Sequence, residues 1–225
     1  RRALAIHEQV YGPEHAETAL SLNNLGQLYV ARGQPALGLP LAQRALAIQE
    51  LRLGPGHPAV AVTLNNLAGM LEDLQRAPEA LPLHLRALAI REQALGPRHP
   101  AVAASLNNLA ALYDTLGEPK RSLPLYTRAL AILQPAAGAG TQPVWLAAVH
   151  TRLGRWHQGQ GHDELAIFHL KQAVNITQGL RAGASTLDTA AQASLARGVE
   201  SRYRRLAELL VRQGRLPEAE QVLTL

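Results

Sequence analysis

The feature of the sequence that most constrains its fold is a repeat of 42 residues. The segment RALAI occurs at 2–6, 44–48, 86–90 and 128–132, Gly-Pro begins at 12, 54 and 96, and adjacent asparagines begin at 23, 65 and 107. Since three independent markers share one period, the chain reads as an array of one supersecondary unit. Units of this kind bury their apolar faces against their neighbours, so stability is shared between adjacent repeats.

Each repeat reads as two helices, helix A and helix B, joined by a tight turn. In the third repeat, His99 and Pro100 open helix A, at a point where a missing N–H costs nothing. Gly117 suits a left-handed stop after helix A, and helix B follows from about Pro119 to Gln134. One apolar face is predicted on helix A at i, i+3, i+4 and i+7, formed by Leu106, Leu109, Ala110 and Tyr113.

The period changes toward the C-terminus. A spacing of 44 aligns Leu153 with Leu109, and the additional residues fall in a loop-like stretch at 135–140. A fifth helix A is predicted over Tyr203 to Gln213, preceded by an additional helical segment at about 185–200. We therefore expect one array over 1–225 with about five helix pairs, and helix B segments without partners at both ends, as in a chain truncated on both sides.

Several classes of function are excluded by residue content and motifs. The chain has no cysteine, which excludes disulfides and thiolate metal sites. No run of about 18 apolar residues occurs, so no membrane span is predicted. A GxSxG motif, a phosphate-binding glycine loop and an HExxH motif are all missing from the sequence. We predict a protein that is not an enzyme and that needs no cofactor.

The repeat resembles the tetratricopeptide repeat in its 42-residue form, which is found in kinesin light chains and in many bacterial proteins. The matching residues are LNNLA-x-LY in helix A, Gly117 at the turn, RALAI in helix B and LGPRHPAVA at 95–103. This resemblance implies an all-α, right-handed α-solenoid of helix pairs. It also implies a module that binds a protein or a peptide rather than one that performs chemistry.

The C-terminal segment resembles the repeats of one group of proteins in particular. SRYRRLAELLVRQGRLPEAEQVL at 201–223 is similar to the last repeat before the caspase-like protease domain of bacterial CHAT proteins. This implies a scaffold or sensor arm of a larger, cytoplasmic bacterial protein. Similar repeats also form sensor arms of bacterial signalling ATPases, so that context remains an alternative.

The resemblance implies that helix A lines a groove, and the groove residues can be read by their offset from one apolar position in each repeat. An asparagine side chain offers a donor and an acceptor, as a peptide unit does, and arginine pairs with carboxylates. We therefore expect a linear peptide in the groove, acidic at its arginine end. The candidate peptide-binding residues are Asn23, Asn24, Asn65, Asn66, Asn107, Asn108, Arg152, Arg155, Arg204 and Arg205.

Alternatives remain open for these residues and for the function. One asparagine of each pair can instead bond the neighbouring repeat, and the arginines can form a solvated face or local ion pairs. A net charge of +5 is compatible with nucleic-acid binding, but cations alternate with carboxylates and the groove lacks aromatic residues for stacking. Terminal helices without partners would expose apolar faces, which favours self-association.

Histidines recur in two settings. His15, His57 and His99 repeat with the loops, and we predict that they cap these loops. Four further histidines, His150, His157, His162 and His169, are closer together in the sequence. Because His157 aligns with Tyr113 of the core, we expect no histidine cluster and no metal site.

Overall fold

The computed structural model describes residues 2–134, 143–183 and 189–224, with side-chain detail for all of these except 181–199. Every regular element in this part of the chain is an α-helix, which confirms the predicted all-α class. The helices are α1 (Arg2–Tyr11), α2 (Ala16–Ala31), α3 (Pro35–Leu53), α4 (Pro58–Asp73), α5 (Ala77–Leu95), α6 (Pro100–Thr115), α7 (Pro119–Leu133), α8 (Pro143–Gly159), α9 (Asp163–Gly183), α10 (Thr189–Arg212) and α11 (Leu216–Leu223).

The helices pack as the predicted pairs of helix A and helix B, except that α11, the C-terminal helix B that was expected to lack a partner, packs against α10. Helix α2 packs against α3, α4 against α5, α8 against α9, and α10 against α11. Helix B of one repeat also packs against helix A of the next, as α3 does against α4 and α5 against α6. The chain divides into two compact units, 1–125 and 126–225. The single array over 1–225 stays a prediction.

The predicted histidine caps are confirmed. The Nδ1 atoms of His15, His57 and His99 each accept a hydrogen bond from the backbone N–H two residues ahead, at 3.2, 3.1 and 3.1 Å. Each histidine thereby satisfies one of the N–H groups that a helix start leaves without an intrahelical partner. Pro58 and Pro100 occupy the first helical position, where proline is favoured.

The turn between helix A and helix B requires a left-handed residue. Gly117 takes this role with φ 76°, as predicted, and Gly33 takes it in the first repeat with φ 70°. In the second repeat Gln75 stands at the equivalent position and adopts φ 61°, a conformation that costs a residue with a Cβ atom about 1 kcal/mol or more. The repeat geometry therefore overrides the preference of the local sequence at this turn.

Small residues lie where helix A crosses helix B. In the first repeat the crossing is made by Gly26 and Gly38, and a Cβ atom on Gly38 would lie 2.7 Å from the carbonyl oxygen of Gly26. The helices of this pair are therefore in backbone contact. Equivalent positions in later repeats also hold small buried residues: Ala68 with Ala80, Ala110 with Ser122, Gly154 with Ala166, and Ala207 with Ala219.

The second unit has its own core, built by α9, α10 and α11. Leu170 and Val174 of α9 pack with Leu206 and Leu210 of α10 and with Val222 of α11. The predicted fifth helix A is not a separate element, because α10 runs without interruption from Thr189 to Arg212. Residues 185–188 of the predicted additional segment, and the predicted loop at 135–140, lie outside the described residues. None of the described helices is both long and apolar enough to cross a membrane.

Candidate peptide-binding surface

Polar side chains join each helix B to the helix A that follows it in the first unit. Ser21, Thr63 and Ser105 occupy equivalent positions on α2, α4 and α6. Ser21 Oγ lies 2.9 Å from His7 Nδ1, Thr63 Oγ1 donates to Gln49 Oε1 at 2.7 Å, and Ser105 Oγ accepts from Arg91 at 2.8 Å. Since His7, Gln49 and Arg91 also recur every 42 residues, one hydroxyl contact is repeated with three different partners.

Asn65 is the centre of a buried network between repeats. Its Nδ2 donates to Ser105 Oγ of the next helix A at 3.1 Å. Its Oδ1 lies 2.7 Å from Nδ1 of His84, whose Nε2 lies 2.9 Å from a carboxylate oxygen of Glu72. Both Asn65 and His84 are buried, so these contacts replace the hydrogen bonds to water that the groups lose on folding. The first asparagine of this pair is therefore a structural joint.

The first pair follows the same division of roles. Asn23 is buried, and its Oδ1 accepts a hydrogen bond of 3.1 Å from Nδ2 of Asn66 on the next helix A. In the third pair, Asn107 is half-buried and its buried Oδ1 has no hydrogen-bond partner in the structure. Asn23 and Asn65 are thus occupied within the fold, as the alternative reading of the sequence expected, and Asn66 takes part in the same contact as Asn23. Of the second asparagines, Asn24 and Asn108 are exposed.

The second asparagines form a recurring exposed feature. Asn24 and Asn108 are exposed, and Asn66 is half-buried between them in the repeat order. One helical turn earlier, the equivalent positions hold exposed Leu20, exposed Val62 and half-buried Ala104. Residues at i and i+4 lie on the same side of a helix, so each helix A presents one apolar and one amide side chain together. We call this surface, formed by Leu20, Asn24, Val62, Asn66, Ala104 and Asn108, the amide face.

The candidate arginines lie in the second unit and are accompanied by carboxylates. Arg204 of α10 forms an ion pair of 3.0 Å with Glu200, and Arg205 donates to Gln158 Oε1 of α8 at 3.0 Å. An open cavity of about 380 Å³ is lined by Glu200, Ser201, Arg204, Arg205 and Glu208. The local ion pair matches the alternative left open by the sequence for Arg204. Arg152 is half-buried and Arg155 is exposed, both on α8.

The arginine of RALAI has a structural role that the sequence analysis did not assign. Arg44 pairs with Glu8 at 2.7 Å and donates to the backbone oxygen of Pro13 at 3.1 Å. One repeat later, Arg86 pairs with Glu50 at 2.5 Å and with the backbone oxygen of Pro55 at 3.4 Å. The sequence did contain a sign of this role, because the glutamate and the Gly-Pro loop recur with the same 42-residue period as the arginine. Such exposed pairs add little stability individually but fix the register of the loop.

The prediction that the histidines of the fourth repeat would not cluster is wrong. Nδ1 of His150 lies 3.0 Å from Nδ1 of His169, and the ring of His157 stacks on His169 with centroids 5.5 Å apart. The centroid of His162 lies 5.8 Å from that of His157. Placing His157 in the interior was reasonable, but His150 and His169 point to the same interior. Among the described residues, no group of three or more ligating side chains is arranged to hold a metal ion.

Burial changes the acid–base behaviour of this cluster. Removal from water disfavours the charged form of an imidazole and lowers the pKa of His150 to about 4. The pKa of His169 is also lowered to about 4, first by burial and then by the neighbouring His150 and His157. Burial and His162 lower the pKa of His157. All three rings are therefore neutral near pH 7.

Comparisons with known proteins agree with this architecture. A family model described as tetratricopeptide repeat matches residues 1–50 and 59–134. The crystal structure of BtubC (BKLC) from P. vanneervenii is similar over 99% of this chain and 83% of that chain, with 21% sequence identity and a TM-score of 0.74. No curated protein matches the sequence.

Two further solved structures share the fold. The putative kinesin light chain of Podospora anserina, with nearly identical TPR-like repeats, matches over 93% of both chains with 24% identity and a TM-score of 0.68. The apo form of RapI matches over 92% of this chain and 81% of that chain, with 18% identity and a TM-score of 0.64. These likenesses confirm the predicted fold class, a tetratricopeptide-type solenoid of helix pairs.

Proposed function

Because the chain belongs to the tetratricopeptide repeat family, whose modules generally act as protein-binding scaffolds, we propose that it binds an extended protein segment along the amide face. The observation that supports this is the division of each asparagine pair. Asn23 and Asn65 are buried joints, whereas Asn24 and Asn108 are exposed at the next position. A joint explains Asn23 and Asn65, and also Asn66, which donates to Asn23. It does not explain the exposed amides of Asn24 and Asn108.

The chemistry of the amide face suits the main chain of a partner. An extended segment without partners of its own leaves its N–H and C=O groups free to bond, and each asparagine offers one group of each kind. An exposed asparagine in the middle of a helix lowers helix stability relative to alanine, so propensity alone does not favour it there. Leu20 and Val62 would contact apolar side chains of the same segment, which adds apolar burial to the main-chain contacts.

The second unit, taken by itself, is proposed to bind an acidic segment of a partner. Arg204 and Arg205 border an open cavity, and guanidinium groups bind carboxylates through two parallel hydrogen bonds. A carboxylate of the partner would compete with Glu200 for Arg204. Arg152 and Arg155 on α8 are included in this proposal. Supporting it is the exposure of Arg204, whose side chain is 69% accessible even within its ion pair.

The double variant Asn24→Ala, Asn108→Ala tests the amide face at its two exposed asparagines. Asn66 is left unchanged because it also bonds the buried Asn23. Linear peptides selected from a random display library on the intact protein serve as probes. Two lost hydrogen bonds at about 1 kcal/mol each are expected to weaken binding at least tenfold, measured by fluorescence anisotropy, while the helical signal in circular dichroism stays unchanged.

A matched control uses exposed amides on helix B. Gln43 and Gln93 are exposed on α3 and α5, and the variant Gln43→Ala, Gln93→Ala should keep the affinity of the unchanged protein. The proposal is overturned if the asparagine variant binds the selected peptides as tightly as the glutamine variant does.

The wider setting is also a proposal. The similarity of 201–223 to repeats that precede a CHAT protease domain supports a role as scaffold or sensor arm of a larger cytoplasmic bacterial protein, with a signalling ATPase as the alternative host. Self-association stays a prediction, supported by exposed apolar side chains at Val10 of α1 and at Leu216 and Leu223 of α11. Nucleic-acid binding gains little support, because carboxylates pair with Arg44, Arg76, Arg86, Arg121 and Arg215.

A further inference from the structure

Three core positions of the fourth repeat hold histidine where other repeats hold apolar residues. The alignment at spacing 44 places His150, His157 and His169 on the positions of Leu106, Tyr113 and Leu125. In the second repeat the same positions are Leu64, Leu71 and Leu83, which pack into its core. The α8–α9 pair therefore has an ordinary tetratricopeptide framework in which three interior side chains can take up a proton.

The contact between His150 and His169 depends on protonation. Their Nδ1 atoms are 3.0 Å apart, so one nitrogen must accept the hydrogen bond that the other donates. Only a neutral imidazole has an acceptor nitrogen. When both rings are charged, two N–H groups face each other and the contact becomes repulsive. His150 is only 4% accessible, so its charge could not be solvated without separation of the helices.

His157 extends the same argument to a third ring. Its plane is within 5° of that of His169 at a centroid distance of 5.5 Å, so charged rings here would repel each other face to face. Its Nδ1 is buried and has no hydrogen-bond partner in the structure. In the present arrangement this nitrogen gains no compensation for its burial, whereas opening of the helix pair would return it to water.

The charged groups around the cluster do not neutralise added protons. The lowered pKa values of the three histidines have burial, the other rings and His162 as their causes, and no carboxylate contributes. Several charged side chains on the elements that build this unit contact groups outside the cluster. Asp163 contacts Gln213, Glu164 contacts Arg215, Lys171 contacts Glu218, Arg202 contacts Thr177, and Arg205 contacts Gln158. Arg152 and Arg155 of α8 would add further positive charge.

We infer that the α8–α9 pair is an acid-sensitive joint, in which protonation of His150, His157 and His169 separates the two helices. The direction in which stability changes with pH follows from proton linkage. His150 and His169 have folded-state pKa values of about 4, below the unfolded value of about 6.5. The stability that they contribute as neutral groups is therefore complete above about pH 6.5 and is lost progressively as the pH falls toward 4.

Separation of α8 from α9 would also change the surface of the second unit. Gln158 of α8 accepts the hydrogen bond from Arg205 of α10, and Trp156 lies beside His157 with ring centroids 5.1 Å apart. Acid would therefore release Arg205 and expose the indole. This inference does not rest on the proposed peptide binding, since it concerns the stability of one helix pair.

The two tryptophans of the chain, Trp145 and Trp156, both lie on α8 and report on this joint. We expect their emission to shift to longer wavelength between pH 7 and 4.5. The lowest thermal unfolding transition should fall by about 10 °C, the size of shift that loss of a few favourable contacts causes in a domain of about 100 residues. The variant His150→Leu, His157→Leu, His169→Leu, which installs the residues of the second repeat, should lose most of this pH dependence. His162→Gln, at an exposed histidine, should keep most of it, because His162 affects only the pKa of His157 and does so less than burial does.

Proton titration of the unchanged protein keeps the test decisive even if the leucine variant fails to fold. Histidine Cε1–H resonances followed by NMR should include signals that titrate clearly below 6.5, with shared apparent values because the rings are coupled. The inference is overturned if every histidine signal titrates at 6.5 or above. It is equally overturned if α8 keeps its fluorescence and unfolding temperature at pH 4.5, or if the folded leucine variant has the same pH dependence as the unchanged protein.

Discussion

Replacement of Gly38 by alanine is expected to destabilise the first unit by about 2 kcal/mol, although alanine is the better helix former by about 1 kcal/mol. The added Cβ atom would lie 2.7 Å from the carbonyl oxygen of Gly26. That neighbour is backbone, which cannot rotate away, so α2 and α3 would have to move apart. Overpacking of this kind costs about 1–3 kcal/mol and at times more, which outweighs the gain in helix propensity. Denaturant unfolding of the whole chain measures the difference.

Gly69 provides the matched control for this prediction. It also lies inside a helix, α4, but a Cβ atom added there meets no atom within 4 Å. Gly69→Ala is therefore expected to raise the free energy of unfolding by about 0.5–1 kcal/mol through helix propensity alone. If Gly38→Ala proves as stable as Gly69→Ala, the helices of the first pair are not in backbone contact and the packing description is incorrect.

Replacement of His84 by leucine is expected to cost about 2–4 kcal/mol, measured by the same unfolding method. His84 is buried and contacts both Asn65 Oδ1 and Glu72. Leucine adds apolar burial, but it leaves the buried amide oxygen of Asn65 and the partly buried carboxylate of Glu72 without the imidazole that they contact. Each polar group left in this way costs about 1–3 kcal/mol of stability. The loss from the two polar groups therefore exceeds the gain from the side chain.

A double-mutant cycle separates the network from simple packing. If the cost of His84→Leu comes from the stranded oxygen of Asn65, then His84→Leu combined with Asn65→Leu should destabilise by less than the sum of the single changes. Neighbouring residues in one hydrogen-bond network show such coupling of about 0.5–3 kcal/mol. Additive costs would mean that the two side chains contribute independently, contrary to the geometry.

Much of the fold could be predicted from the sequence because each helix start and helix stop recurs in several repeats. Helix A of the third repeat was expected from His99 and Pro100 to about Leu116, and α6 spans Pro100–Thr115 with His99 as its cap. The glycine stop at Gly117 was also expected. Local propensity was weaker evidence where the sequence departs from the 42-residue pattern. At α10, the described part of the expected additional segment and the expected fifth helix A form one continuous helix.

The candidate surface could be located from the sequence but not divided into roles. Asn65 and Asn66 are adjacent, so their side chains diverge by about 100° around the helix axis, and only the packing of the neighbouring helices decides which one is buried. The prediction that the histidines of the fourth repeat would not cluster was wrong for a related reason. The alignment placed His157 inside, but each histidine was considered alone, whereas the positions of Leu64, Leu71 and Leu83 already showed which interior side chains share one core.

The division of the asparagine pairs is tested most directly by measuring the stability of single alanine variants without any ligand. Asn65→Ala removes a buried joint and is expected to lower the free energy of unfolding by about 1–3 kcal/mol. Asn24→Ala and Asn108→Ala change exposed helical positions and are expected to leave it within about 0.5 kcal/mol of the starting value. If Asn108→Ala destabilises the protein as much as Asn65→Ala does, both asparagines are joints and the amide face is not a binding surface.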